Sequence, residues 1–382
     1  MNIKTAKLGE LVAIARGGSP RPIKSFLTNS KDGVNWIKIG DTEQDSKYIF
    51  STKEKIKRSG LKSSRYVKEG DFILSNSMSF GRPYILKIDG CIHDGWLVLS
   101  NYENSFDMNY LYYLLCSNVI QNQFEKSAKG STVRNLNINL VSNVVVTIPP
   151  IAEQKRIVAK LDYSISEIDK FIEQNDDRNK KIDLLKSEIL SSLLKNTQGE
   201  KTNLKSAVSY IKKNGFNSGL PYVGLENIES NTMELIGEIT VPNQTSKTFE
   251  FNDDHILYGR LRPYLKKVLV PEFKGQCSTE IFCIKPNKNL LRKFLAFWLI
   301  EKSIAKKIEL TSTGARMPRA NMNLVLDFEI NIPNLKNQVE IINKLEKTFE
   351  LIKKTKLIQI KLKNNLKSLK AKLLEVELAS FN

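Results

Sequence analysis

The sequence predicts an α/β protein: two mixed α/β domains in tandem, each followed by one long helix. Two observations carry this prediction. A proline stop at Ile148-Pro149-Pro150 opens a helical stretch that runs to Lys195, and the same punctuation returns 184 positions later. There, Asn331-Ile332-Pro333-Asn334-Leu335-Lys336-Asn337-Gln338 lies over Thr147-Ile148-Pro149-Pro150-Ile151-Ala152-Glu153-Gln154, with Ile341 over Ile157 and Leu345 over Leu161. The chain therefore divides into a first domain (1–149), a central helix (150–196), a second domain (197–333) and a C-terminal helix (334–382), a plan that 382 residues can fill.

In the first domain the pattern predicts a short helix around Leu8–Ala13, then a basic loop, Arg16-Gly17-Gly18-Ser19-Pro20-Arg21-Pro22. Val34–Gly40 alternates as a strand should, and further strands are expected at Asp71–Leu74, Tyr84–Ile88, Trp96–Leu99 and Val141–Thr147. Asn109–Asn122 reads as an amphipathic helix with Leu111, Leu114 and Leu115 inward. Two loops combine hydroxyl, amide and guanidinium donors, the mixture that phosphate and base-edge contacts require: Ser75–Arg82 and Lys129–Asn135. His93-Asp94 has no identifiable nucleophile partner and is expected to be structural.

Along the central helix, Ile157, Leu161, Ile165, Ile168, Ile172, Ile182, Leu185, Ile189 and Leu193 form a seam for a partner helix. Asn175 and Asn179 stand where the seam should continue, as a polar layer or a local break, and Gly199 offers a stop. The C-terminal helix, with Asn334 as a plausible N-cap, carries Ile342, Leu345, Phe349, Ile352, Leu366, Leu369, Leu373 and Val376.

The second domain repeats the landmarks of the first. Tyr222–Asn227 stands for Trp36–Asp41, and His255–Tyr264 stands for Asp71–Tyr84, both ending in Arg-Pro-Tyr. A helix Leu290–Lys307 replaces Asn109–Asn122, and Thr313–Arg319 replaces Lys129–Asn135. The loops differ most, the pattern expected of two related modules with different targets and also of neutral divergence after a duplication.

Net charge is +18, and its distribution is uneven. Residues 1–150 carry +7 (20 basic, 13 acidic), residues 197–334 carry +5 (19 and 14) and residues 335–382 carry +6 (11 and 5), whereas 151–196 is neutral (9 and 9). Two basic domains point to a polyanion, most often nucleic acid. Cys91, Cys116, Cys277 and Cys283 show neither a CxxC pair nor zinc spacing and are expected to be reduced core thiols. No run has the apolar length of a signal peptide or a membrane span, so a cytoplasmic protein is expected. Phosphate-loop, dinucleotide, zincin and serine-hydrolase motifs are all missing, and no Asn-Pro-Pro-aromatic run occurs; a binding protein is expected rather than an enzyme.

These residues carry a family resemblance over essentially the whole chain. Ile148-Pro149-Pro150 with Glu153-Gln154 and Ile157, and its second copy Ile332-Pro333-Asn334 with Asn337-Gln338 and Ile341, resemble the helix-opening run of type I restriction-modification specificity subunits. The second copy departs in having Asn at the second proline and at the glutamate. The resemblance implies two target-recognition domains under approximate two-fold symmetry and two helices paired antiparallel as a coiled coil. Each helix, about 44 residues or about 66 Å long, would act as a ruler between the halves of a bipartite target in double-stranded DNA. It also implies docking of two methyltransferase subunits, which would bring S-adenosylmethionine. Those in turn recruit restriction and translocase subunits using ATP and Mg, so that this chain holds no cofactor or metal of its own. DNA contacts are expected from Arg82, Ser131, Thr132, Arg134 and Asn135 in the first domain, and from Arg260, Arg262, Arg316 and Arg319 in the second. The competing expectation is a coiled-coil scaffold whose basic domains bind RNA or protein, for which the dense aromatic platform of an RNA reader is missing.

Overall fold

Two helices of 45 residues each, α1 (Ile151–Lys195) and α2 (Leu335–Ala379), are the longest elements of the computed structural model. It describes residues 4–43, 46–76, 80–128, 135–211, 214–215, 219–241 and 247–379. The chain forms two units, Met1–Gln174 with Leu362–Asn382, and Asn175–Lys361, so each unit holds one α/β domain and part of both long helices.

In the first unit a short antiparallel pair, Lys4–Lys7 with Val145–Ile148, ties the start of the domain to the strand that runs into the proline stop. Two five-stranded sheets follow. One orders Ala13–Arg16, Trp96–Ser100, Phe72–Ser75, Pro83–Leu86 and Tyr48–Ile49; the other orders Leu27–Thr28, Glu54–Ile56, Val34–Ile37, Gly90–Ile92 and Arg65–Val67. Strand side chains alternate between faces, and here both faces of the first sheet are covered. Ile73, Tyr84, Leu86, Trp96 and Val98 pack toward the second sheet, while Phe72, Leu74, Ile85, Leu97 and Leu99 pack toward Tyr110, Leu111, Leu114 and Phe124 of the helical layer. Burial on both faces is why these strands read as continuous apolar runs.

The second unit repeats this plan with shorter sheets. Glu200–Asn203 pairs with Glu329–Ile332; Val208–Ile211, Ile281–Pro286, Ile256–Gly259 and Val268–Leu269 form one sheet, and Asn214–Gly215, Thr248–Phe251, Gly275–Ser278 and Tyr222–Val223 the other. The two cores correspond to those of the first unit, one between the sheets and one beneath the helices.

Each domain is fastened to its long helix by one buried glutamine. Gln154 Nε2 donates to the carbonyls of Ser105 and Pro149 (2.9 Å each), and its Oε1 accepts from the Asp107 N–H (2.8 Å). Gln338 repeats the set one repeat later, donating to Asn289 O (2.7 Å) and Pro333 O (2.8 Å) and accepting from the Leu291 N–H (2.8 Å). A buried amide needs all its partners, and these satisfy backbone groups at the helix entry that no ladder reaches.

The long helices run antiparallel within each unit. In the first, Lys160 pairs with Glu377 (2.6 Å) and Asp169 with Lys370 (2.8 Å). In the second, Lys356 pairs with Asp183, and Asn175 Nδ2 donates to Gln359 O (3.2 Å). Asn175 is buried in the seam, so the polar position is a layer of the pair rather than a gap in it.

Several expectations are corrected. The opening around Leu8–Ala13 is strand, 3-10 turn Leu8–Glu10 and strand, not helix. The helices Asn109–Asn122 and Leu290–Lys307 are each two helices, Met108–Cys116 with Asn118–Ala128 and Arg292–Ile300 with Lys302–Leu310. The breaks fall at Ser117 and Glu301, where the backbone is extended; Glu301 accepts from the N–H groups of Ser303 (2.8 Å) and Ile304 (3.0 Å), capping the second helix. Val141 lies in a short helix, Ile138–Ser142, capped by Asn137, and the strand starts only at Val145. Helix α1 stops at Lys195, before Gly199; a Cβ at Gly199 would lie 2.5 Å from the backbone of Ile332, so close approach accounts for that glycine.

In the seam, Leu185, Leu369 and Val376 point outward. Their places are taken by the half-buried Lys186 and Lys370, long stems that can cover the seam, and by Glu377, buried and paired with Lys160 (2.6 Å). Along α2 the inward positions run Ile352, Lys356, Gln359, Lys363, Leu366, Lys370, Leu373 and Glu377, a strict alternation of three and four steps that a search for apolar residues alone cannot follow.

Candidate nucleic-acid interface

All four arginines predicted in the second domain come together. The segment after Ile256–Gly259 and the segment Thr313–Ala320 are stitched by backbone: Arg262 N–H donates to Pro318 O (2.8 Å), Ala320 N–H to Arg260 O (2.9 Å), and Leu261 bridges Arg319. Gly314 (φ +92°) makes the turn within the second segment, and Arg262 adopts φ +52°, a left-handed conformation uncommon outside glycine. Arg262 and Arg316 stand exposed on this pair of loops.

A third segment, the turn between Gly275–Ser278 and Ile281–Pro286, brings Glu280. Arg319 Nε donates to both Glu280 oxygens (2.9 and 3.1 Å), and Arg260 Nε lies 3.7 Å from Oε2. The Arg260 guanidinium also sits over the ring of Phe282 (5.4 Å), which stacks on Tyr258 and meets Tyr210 edge-on. The result is a half-buried carboxylate and an aromatic stack holding two arginines beside two exposed ones.

The first domain repeats the backbone of this cluster with different side chains. Asn76 N–H donates to Gly95 O (3.0 Å) and Leu136 N–H to Asn76 O (2.8 Å), as Arg260 N–H donates to Glu280 O (2.8 Å) and Ala320 N–H to Arg260 O. Asp94, in the corresponding turn, accepts from Ser19 Oγ (2.8 Å) and lies 3.6 Å from the exposed Arg21 guanidinium; its backbone carbonyl accepts from Arg16 Nε (3.1 Å) and Asn76 Nδ2 (2.8 Å). The Ser19 hydroxyl, with Arg21 and His93 adding to it, holds the Asp94 carboxyl below the usual carboxylate range. Gly17 allows this loop to touch the turn, since a Cβ there would lie 2.1 Å from His93 O. His93 is held between Trp36 and Trp96, with Nδ1 facing the Gly95 N–H at 2.7 Å, and burial pushes its pKa down.

Of the residues predicted in the first domain, Arg82 sits on the hairpin that also carries Asn76, its N–H donating to Ser75 Oγ (3.0 Å) and its guanidinium 5.3 Å from the Tyr84 ring. Asn135 is half-buried beside Leu136. Ser131, Thr132 and Arg134 lie outside the described residues. Glu280 carries no signal in the sequence, Asp94 enters it only in the His93-Asp94 pair expected to be structural, and Asn76, Ser19, Arg16 and Arg21 enter it only as members of loops. The signals available were the basic, glycine-rich run Arg16–Pro22 and the donor-rich loop Ser75–Arg82, which holds Asn76. Among the described residues no three His, Cys, Asp or Glu side chains converge as a metal site requires, and no helix is long and apolar enough to cross a membrane.

A family model described as the type I restriction modification DNA specificity domain matches the chain twice, over residues 2–183 and 198–363. The type I restriction enzyme EcoDI specificity subunit of Escherichia coli is 23% identical over 283 residues, 63% of this chain. The match spans 62% of that relative's length, under two thirds of it. Among solved structures, a chain from a study of complex assembly and conformational transition of the type I R-M system shares the fold with a TM-score of 0.76 at 18% identity, covering 98% of this chain and 97% of that one. The HsdS subunit from Thermoanaerobacter tengcongensis follows with a TM-score of 0.58 at 18% identity, covering 98% and 96%. With the model laid once on each half of an internally repeated fold, the chain belongs to the type I restriction modification DNA specificity domain family.

Proposed function

We propose that this chain is the sequence-reading subunit of a type I restriction-modification complex, supplying the address and no chemistry. Each domain would read one half of a bipartite target in double-stranded DNA. The observation that carries this is the cluster of Arg260, Arg262, Arg316 and Arg319 on loops fixed by backbone hydrogen bonds, on a domain of net positive charge. Guanidinium groups held rigidly at a surface suit both guanine edges and phosphates. Support for the first half-site is the corresponding turn, where Asp94 gathers Ser19 and Arg21.

Two methyltransferase subunits would dock on the helices and bring S-adenosylmethionine, and through them the ATP-dependent restriction subunits. Supporting this are the large apolar side chains that both helices leave in solvent: Tyr163 and Phe171 on α1, Leu351, Leu357 and Ile358 on α2. Such a subunit works in the cytoplasm, beside the chromosome it reads.

The test is a titration of the purified full chain against duplex DNA and duplex RNA between 50 and 200 mM salt. Preference for DNA, with log affinity falling steeply and linearly with log salt and neither cleavage nor methylation by the chain alone, is expected. Preference for RNA would transfer the assignment to a scaffold with RNA-binding domains.

A further inference from the structure

We infer that Glu280 is a positioning residue for specificity: its carboxylate aims the guanidiniums of Arg319 and Arg260 at the bases of one half-site. This rests on the DNA-reading function proposed above. An acidic side chain in a DNA-facing cluster repels phosphates, so its presence among four arginines needs a compensating role. The geometry supplies one.

Glu280 takes Arg319 through Nε, at 2.9 and 3.1 Å, and the only other contact of that guanidinium among the described residues is a long one, Nη1 to Met317 O at 3.4 Å. Pinned at Nε, the guanidinium keeps its terminal nitrogens to donate elsewhere, and a terminal pair is the fork that reads the O6 and N7 edge of guanine. Arg260 is restrained from two sides, by Glu280 Oε2 at 3.7 Å and by the Phe282 ring at 5.4 Å. The backbone of Glu280 is fixed on both sides, its carbonyl accepting from the Arg260 N–H at 2.8 Å and its N–H donating to Ser278 Oγ at 3.2 Å, so the carboxylate starts from a set position between the strand ends.

The three side chains are only about a third exposed (28% for Glu280, 35% for Arg260, 37% for Arg319), which strengthens the ion pairs and narrows the arginine rotamers. Unrestrained, each arginine would be a mobile charge that favours any DNA. Held by Glu280, it favours DNA that presents acceptors in the right place. Specificity is gained against a loss of non-specific attraction, a trade that a purely structural ion pair does not make.

The experiment is single-molecule methylation sequencing of cells carrying the full complex with wild-type chain, with Glu280→Gln, with Arg319→Gln and with both, alongside binding of the purified full chains to motif-free duplex. In Glu280→Gln, one half of the methylated motif should relax, tolerating substitutions about tenfold or more better than wild type, while the other half stays intact. Binding to motif-free duplex should strengthen about twofold or more, since a negative charge has gone. The double variant should lose less specificity than the sum of the two single variants, because Glu280 acts in part through Arg319 and in part through Arg260. An unchanged motif in Glu280→Gln, or loss of both half-sites together with weaker binding to all DNA, would overturn the inference. A wild-type chain that directs no methylated motif would instead sink the DNA-reading function itself.

Discussion

Removing the Gln154 amide takes hydrogen-bond partners from three backbone groups at once: the carbonyls of Ser105 and Pro149 and the N–H of Asp107. All three lie where the domain meets α1, around the fully buried Gln154 side chain, so Gln154→Ala should destabilise the first unit by roughly 2–4 kcal/mol. Chemical denaturation would measure this, and a loss below about 0.5 kcal/mol would show that the junction does not depend on that side chain. The residue stood in plain view in the repeated Pro-containing run, yet two of its three partners are 47 and 49 positions upstream, which no local pattern reports. The arginines contrast with it, since guanidiniums in glycine-containing loops announce themselves. Arg316→Ala should relax one base position by roughly 1–3 kcal/mol if that side chain meets a base, or weaken all sequences alike if it meets a phosphate. Affinity unchanged on every sequence would remove Arg316 from the interface. Glu280 and Asp94 were illegible for the opposite reason: their role depends on side chains from two other loops, which only the folded backbone brings together.

At the scale of elements, helix boundaries set by proline were legible, as was the Asn334 cap of α2, whose Oδ1 accepts from the Asn337 N–H (2.9 Å), whereas the breaks inside the shorter helices were not. Pro149 and Pro150 announce α1, but Ser117 and Glu301 break the short helices through extended backbone and, at Glu301, a side-chain cap. The long helices teach a related lesson. Apolar spacing locates the α1 seam along its length except at Leu185, where Lys186 takes the position, and it loses the α2 seam where Lys356, Lys363 and Lys370 alternate with apolar residues. Asn175 is the polar layer of the α1 seam, with its Oδ1 buried and without a hydrogen-bond partner among the described residues. Asn175→Leu should therefore raise stability by about 1 kcal/mol while loosening the register that the layer specifies. Thermal unfolding would read the gain; a lower melting temperature would mean that the amide is worth more than the apolar contact that replaces it.

For the whole molecule, the repeat was the most legible feature, because one offset of 184 residues recurs in the helix openings, in the Gln154 and Gln338 anchors and in the Asn76 and Arg260 backbone contacts. Under the proposed function, two such modules read two half-sites, and the length of the helices sets the spacer between them. Inserting one heptad in each helix adds about 10 Å of rise, so the non-specific spacer should lengthen by about 3 base pairs or methylation should cease. An unaltered spacer in an active complex would refute the ruler.

The most direct measurement is genome-wide methylation sequencing of the source cell with and without this gene. Disappearance of one bipartite methylated motif on deletion is the predicted result, and it would reveal both half-sites at once. A bipartite motif that persists without the gene, in a cell where the partner methyltransferase is expressed, would contradict the proposal that this chain supplies the address.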